Sequence, residues 1–484
     1  MSLQPVPPLS FDFFTPRPVQ LEISSAPLTS DAGLLPIRQF DDRIRFTEQF
    51  AAALHDRRDP KFVEQPLSAM VRQRIYGILA DYEDQNDHDT LRSDPAFKLI
   101  ADRLPDDLDL ASQPTLSRFE NAVSIADLWR LRDVLVDTFI QSFEAPPAHL
   151  TLDLDAFDDP AHGDQQLIMF HGYYDQYQYL PIVITCAEND LVLLVGLRHG
   201  TCAAALGAAD DLRYLVGRLR AAWPDVRIHV RADSGFGVPP MYGACEELRL
   251  TYTFGIGMNS RLRELSDGLL ARAVEDFERT GEPQRLFLAA RYQAGTWAAE
   301  RPIVIKAEAH AQGTNRRAVV TNRPGWGAIP SAVYDEYAER GESENRNKEL
   351  KRDLKADRLS DHRFCANFFR LYLHAAALNL LVRLRHAVAL PPPEAAELGL
   401  PAELPAAAID EPDRRRYFNE RRRRDPLGEG FASTWRSRLI KVAAEVIVRA
   451  RRVIVRLSAS WPHLDQFLAV SRVVVPRPAP APPP

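Results

Sequence analysis

Residues 150–157 read LTLDLDAF, and the reading of this stretch decides the fold. Leu150, Leu152 and Leu154 alternate with Thr151, Asp153 and Asp155, a period of two that marks a half-buried strand whose polar face carries two acids. Downstream, YLPIVIT and LVLLVGLR read as two more strands, and the segment from Thr201 to Trp223 reads as an amphipathic helix with Thr201 as its cap. The strand VRIHVRADSGFG then delivers Asp233 at its C-terminal end, before Gly235 and Gly237 turn the chain. A helix from about Pro239 to Leu248 and the strand TYTFGIG complete the order β-β-β-α-β-α-β. Strands on short connections followed by helical crossovers predict an α/β fold, a mixed sheet flanked by helices. In such sheets the working groups gather at strand ends, so Asp155 and Asp233 are expected side by side.

Outward from this sheet, residues 1–145 read as a helical N-terminal region after a proline-rich lead, with helical periodicity in 38–54, PLSAMVRQRIYGILADY, AFKLIADRL and SIADLWRLRDVLVDTFIQSF. The polar DYEDQNDHDTLRSDP between two of them lacks the glycine and terminal glutamate of a calcium loop and reads as a connection. Pro114 to Arg118 suits a short helix that touches DNA phosphates, and equally an ordinary helix start. Beyond the first sheet segment, 146–266, residues 267–322 return to strand signals in RLFLAARY, TWAAERPIVIKAEAH and RRAVVTN and read as a β-rich insertion.

Residues 323–390 bring the chain back to the core with YAERGESENRNKELK at 337–351. Tyr337, Arg340, Glu344, Lys348 and Lys351 recur at the spacing that lines one face of a helix running to about Arg358. One acid is thereby held among cations and a phenol. An ordinary solvated helix, with Glu344 and Lys348 as an i,i+4 pair, is the plainer reading of this stretch alone. RFCANFFRLYLHAAALNLLVRLRH leaves little polar face and should be buried against the sheet. Residues 391–412 are a linker by composition, 413–475 a basic C-terminal region and 476–484 a disordered tail.

The chain's 484 residues suggest two to four domains, and its formal net charge of -6 does not announce a polyanion partner. The charge is uneven, however: from Glu411 to Arg456, 14 Lys+Arg stand against 6 Asp+Glu, and the Arg414 to Arg424 cluster suits a DNA backbone or a solvated surface. Four cysteines without a CxxC pair suggest free thiols in a reducing compartment. No signal-peptide pattern opens the chain and no apolar run approaches the roughly 18 residues of a membrane span, so a cytoplasmic protein is expected.

Three carboxylates on separate elements, Asp155, Asp233 and Glu344, would if they converge supply hard oxygen ligands for Mg²⁺ or Mn²⁺. Two such ions serve in-line attack on phosphorus, with Arg340, Lys348 and Lys351 as phosphate contacts. The set TLDLDAFDDPAHGDQ, VRADSGFG and a Tyr-x2-Arg-x3-Glu-x6-Lys helix resembles the DDE transposases of bacterial insertion sequences, in the branch with the Y-R-E-K signature and a β-strand insertion before the glutamate. QRIYGILADYEDQNDHDTLRSDP and TWRSRLIKVAAEVIVRARR extend the likeness over most of the chain.

The resemblance implies an RNase H-like core that nicks DNA at element ends and joins the freed 3′-hydroxyl to target DNA. It also implies Asp155, Asp233 and Glu344 as metal ligands, Tyr337, Arg340, Lys348 and Lys351 as DNA-binding residues, and a homodimer on paired ends. Phe157 departs from the family, which usually has Ser or Thr there. Asp153, on the same strand face, competes with Asp155, which is favoured by its place at the strand end. Trp297 or Trp326 would suit stacking on an unpaired base or burial in the core. A zinc site from His162, His171, His199, Cys186 and Cys202 fits no common spacing. The remaining rivals are a decayed, DNA-binding derivative, a nuclease without strand transfer, and a glycosidase using Asp155 and Asp233.

Overall fold

The computed structural model describes residues 25–389 and 430–475, together with 9–11, 13, 17 and 19–23. The 391–412 linker, the Arg414 to Arg424 cluster and the tail from 476 lie outside the described residues. The centre is an eight-stranded sheet of β1 (His149–Ala156), β2 (Ile182–Cys186), β3 (Val192–Gly196), β4 (Arg227–Ala232), β5 (Thr251–Ile256), β6 (Gln284–Tyr292), β7 (Arg301–His310) and β8 (Gly313–Thr321), in the order β6-β7-β8-β5-β4-β1-β2-β3. β1, β4 and β5 run parallel, and every other neighbouring pair is antiparallel. The alternation read in residues 150–157 has its cause here: Leu150, Leu152 and Leu154 are buried in the core, leaving the acids on the opposite face.

The helices that frame the sheet and the site are α1 (Leu67–Leu79), α2 (Gln113–Asn121), α3 (Ile125–Ile140), α4 (Ala208–Ala222), α5 (Pro239–Glu247), α6 (Ser260–Thr280), α7 (Pro330–Ala338), α8 (Gly341–Lys348) and α9 (Phe364–Val388), and further helices include Leu34–Ile44 and Leu464–Val474. α3 starts at Ser124 with a full capping box, in which Ser124 and Asp127 satisfy each other's backbone N–H groups. α9 is long and apolar enough to cross a membrane, contrary to the expectation from the sequence, and 89% of its most apolar window is buried in the protein. Its Asn379 both accepts from Val192 N and donates to Val192 O, each at 2.8 Å. The outer backbone of the edge strand β3 is thus satisfied by a side chain rather than left open to another chain.

Three expectations need correcting. Residues 267–280, read as part of the β-rich insertion, belong to the 21-residue helix α6, and strands β6 to β8 extend the main sheet through β8 on β5. The capped helix expected from Thr201 starts at Ala208, because a turn ending at Gly207, in the left-handed conformation, precedes it. The signature stretch is not one helix to Arg358: α7 ends at Ala338, α8 starts at Gly341, and a π-turn, Glu349–Asp353, closes it. The described C-terminal segment is mixed: helical turns at Ala432–Trp435 and Arg436–Ile440, a hairpin of Ala444–Arg449 with Arg452–Leu457 whose first strand pairs with Leu28–Thr29, and a helix at Leu464–Val474.

α9 is also where the N-terminal helices meet the core, through buried charge. Glu120 of α2 accepts from Arg74 Nε of α1 at 2.6 Å and from Arg370 Nε of α9 at 2.5 Å, with all three side chains at most 10% exposed. Burial pulls the Glu120 carboxyl up, but the two guanidinium groups outweigh it and hold it below its ordinary value. Glu120→Ala leaves two cations buried without their anion, and should cost about 3–5 kcal/mol in denaturant unfolding.

Candidate active site

Register creates the acid pair. In the parallel ladder Arg231 of β4 stands opposite Asp153 of β1, and Ala232 opposite Leu154. The next rung, just beyond β4, brings Asp233 beside Asp155. Side chains two apart share a face, so one face carries an Arg–Asp rung followed by an Asp–Asp rung. The first is a bidentate pair: Arg231 Nε and Nη2 donate to the two Asp153 oxygens at 2.7 and 2.8 Å, both side chains at most 3% exposed. Asp153 is therefore fully engaged by Arg231, whereas Asp155 has no such bidentate partner.

The second rung is strained electrostatically. Burial raises the Asp155 carboxyl above its ordinary value, and the charge of Asp233 adds to the rise while Arg340 opposes it. Asp233 Oδ1 accepts from Gly235 N at 2.9 Å, which fixes the turn after β4. Gly255 on β5 is needed alongside, since a Cβ there would lie 2.7 Å from Tyr337 Oη and 3.0 Å from Ser234 N.

The signature segment closes over these strand ends. Arg231 Nη1 donates to Glu336 O at 2.7 Å, tying the end of α7 to the sheet. Tyr337 packs edge-on against Tyr334, 5.8 Å between centroids, and the Arg340 guanidinium lies 5.9 Å from its ring. Burial raises the Tyr337 phenol, although Arg340 pulls it the other way. Arg340 Nη2 donates to Glu344 Oε1 at 2.6 Å, and its Nη1 lies 3.9 Å from Asp155 Oδ2. One guanidinium thus spans the acid on β1 and the acid on α8. Lys351 is ion-paired with Asp158, and Lys348 is exposed and makes no ion pair among the described residues.

Two side chains complete the site that the sequence alone did not single out. Asn347, one helical turn after Glu344, donates Nδ2 to Asp155 Oδ2 at 2.7 Å and leaves its buried Oδ1 without a partner. Asp158 accepts from Lys351 and Gln176; burial pulls its carboxyl up, but Lys351 holds it below its ordinary value. The i,i+3 step from Glu344 to Asn347 was the available signal for the first. For the second, nothing in the sequence linked Asp158 with Lys351. Trp297 is 7% exposed, packed on Tyr242 and Tyr292, and Trp326 is half-buried with Arg291 at 5.9 Å from its ring.

The donor chemistry suits a hard divalent cation: two carboxylates that repel each other, a third within reach of the same guanidinium, and the unpartnered amide oxygen of Asn347. In the conformation seen, no group of three His, Cys, Asp or Glu among the described residues is arranged to hold a metal, and Glu344 is hydrogen-bonded to Arg340.

The two rungs differ in what their removal does. Asp153→Ala strands Arg231 and should destabilise by about 3–5 kcal/mol in chemical unfolding. Asp155→Asn should stabilise at pH 7 by about 0.5–2 kcal/mol, as relief of an unfavourable charge does. A carboxyl raised in the fold binds more protons folded than unfolded, so the Asp155 contribution to stability falls as pH climbs above about 4, and the gain in Asp155→Asn over wild type opens over that range.

No curated protein matches the chain in sequence. Among solved structures, the synaptic complex of piggyBac transposase with hairpin DNA is similar at 13% identity and a TM-score of 0.38, over 95% of this chain and 89% of that one. The model of the family described as transposase DDE domain, group 1, matches residues 11–398, which span both strand-end acids and the whole signature segment. The chain belongs to that DDE transposase family.

Proposed function

We propose that the chain is a metal-dependent DNA transposase of the bacterial insertion-sequence type with the Y-R-E-K signature, which nicks element ends and joins the 3′-hydroxyl to target DNA. The observation that carries this reading is the register that sets Asp155 beside Asp233, with Glu344 bound to the guanidinium that approaches Asp155. The order β3-β2-β1-β4-β5, with β2 antiparallel to its neighbours, supports an RNase H-like core.

Asp155, Asp233 and Glu344 would hold Mg²⁺ or Mn²⁺, which when bound activates the attacking oxygen and steadies the leaving oxygen of an in-line displacement. Asn347 orients Asp155 by its 2.7 Å hydrogen bond. Arg340 balances the acids in the resting arrangement, and is freed for a phosphate oxygen when Glu344 turns inward. Lys351, steadied by Asp158, and exposed Lys348 continue that positive edge along the DNA backbone. Tyr337 holds Arg340 against the sheet.

Phe157 is 7% exposed and part of the core, so packing accounts for it, which favours a working enzyme over a decayed derivative. The basic 413–475 region is proposed to bind DNA, the active assembly to be a homodimer on paired ends, and the place of action to be the cytoplasm, on the nucleoid.

DNA flanking the coding region, with any inverted repeat it carries, provides the test. Wild-type protein with Mg²⁺ should nick it and yield strand-transfer products, whereas Asp233→Ala and Glu344→Ala should lose nicking by at least about a thousandfold, as for removal of catalytic groups that act as a unit. Folding, checked by melting, should persist in both. Nicking retained by either variant contradicts the assignment, and nicking without joined products makes the protein a nuclease.

A further inference from the structure

A small hairpin between β1 and β2, Met169–His171 with Gln176–Tyr179, carries more aromatic surface than its own packing uses. Tyr173 is 85% exposed, Tyr177 60% and Phe170 46%. The rings meet edge to face, Phe170 on Tyr177 at 5.5 Å and Tyr173 on Tyr174 at 5.0 Å between centroids, which leaves flat faces turned to solvent. Contiguous exposed rings of this kind mark a binding surface.

The platform is held in place at its base. A Cβ on Gly200 would lie 2.1 Å from Gln178 O and 2.4 Å from Met169 O, so only glycine lets the 199–201 turn press against the hairpin. Tyr179 Oη donates to Gln166 O at 2.5 Å. It is also fastened to the candidate active site: Gln176 Nε2 donates to Asp158 Oδ2 at 3.2 Å, and Asp158 is held by Lys351 of the signature segment. Burial raises the Tyr174 phenol, and the charges of Asp158, Asp233 and Asp155 add to the rise, which puts this ring within electrostatic reach of the acid pair.

We propose that this hairpin is a stacking platform for an unpaired base of the DNA strand whose phosphodiester lies at Asp155 and Asp233. The inference rests on the transposase reading. The hairpin is bonded to the site through Gln176 and Asp158, and Tyr174 lies within electrostatic reach of both acids. A strand held at the acid pair therefore has the hairpin beside it, and nucleobases are the flat faces that such a strand brings. In duplex those faces are already stacked, so only a base freed from its partner has one to offer. Stacking on phenol rings is tolerant of base identity, and rings fixed in advance lose little freedom on binding.

The test uses the full chain, Ca²⁺ in place of Mg²⁺ to block cutting, and two duplexes of the flanking inverted repeat. Both carry 2-aminopurine at the nicked position, unpaired in one and paired in the other. Wild type should prefer the unpaired probe by about tenfold and quench its fluorescence, in keeping with the usual strength of base–aromatic stacking. Tyr173→Ala with Tyr177→Ala should bring the ratio of affinities close to one, and the corresponding double Phe variant should keep it.

Equal binding of the two probes by wild type, a preference that survives the Ala pair, or one lost in the Phe pair overturns the platform. So does sedimentation showing that the Ala pair converts a dimer to monomers, since the rings then cover a second copy. If wild type nicks the repeat in a parallel Mg²⁺ reaction but shows no preference, the platform alone fails. If it neither binds the probes in Ca²⁺ nor nicks the repeat in that Mg²⁺ reaction, the transposase reading fails with it.

Discussion

Two carboxylates at the ends of neighbouring parallel strands repel each other, and the arrangement around them is an answer to that repulsion. Asp155 and Asp233 occupy the rung after Asp153 and Arg231, so the sheet itself neutralises one rung and leaves the next charged. Arg231 turns its third nitrogen, Nη1, to Glu336 O, which fixes the end of α7 over the strand ends. From there the chain has only to turn once for Arg340 to reach Asp155 and for Asn347 to hydrogen-bond it. A site that disfavours its own charged state in the absence of a cation is suited to bind one.

The break between α7 and α8 belongs to the same logic. A straight helix through 337–351 would carry its stripe past the strand ends at a constant pitch. The tight turn, with Arg340 N donating to Tyr337 O and Ser343 N to Arg340 O, followed by the π-turn at Glu349–Asp353, shifts that pitch locally. Glu349 anchors the far end: fully buried, it accepts from Arg385 of α9 at 2.6 Å and from Ala432 N at 2.7 Å. The acid helix is thus pinned to the sheet by Arg231, to the long helix by Arg385, and to the C-terminal segment by Ala432.

Much of this was legible in the sequence because it is local. The alternation of leucines in 150–157 follows from a periodicity of two, the glycines after Asp233 mark the turn that ends β4, and β1 and β5 form within a residue of where they were read. The 3.6 spacing of Tyr337, Arg340, Glu344 and Lys351, by contrast, is carried by two helices and a π-turn instead of one helix. What stayed hidden depends on pairing across the chain. That Asp153 is spoken for follows from its being opposite Arg231, 78 residues away. The continuation of the sheet into β6 to β8 is set by β8 finding β5, and α6 was missed because 260–280 has few buried residues to give it a strong apolar face. Asp158 gained its role from Lys351, 193 residues on.

The central claim is that Asp155, Asp233 and Glu344 share divalent metal once Glu344 lets go of Arg340. Electron paramagnetic resonance of Mn²⁺ bound to the full chain, with a duplex of the flanking repeat present, measures that directly. Wild type should bind Mn²⁺, and Asp155→Asn, Asp233→Asn and Glu344→Gln should each weaken it by about tenfold or more, with Asp153→Asn leaving the bound-metal spectrum of the folded protein as it is. Mn²⁺ affinity unchanged by all three of the first substitutions would contradict the account.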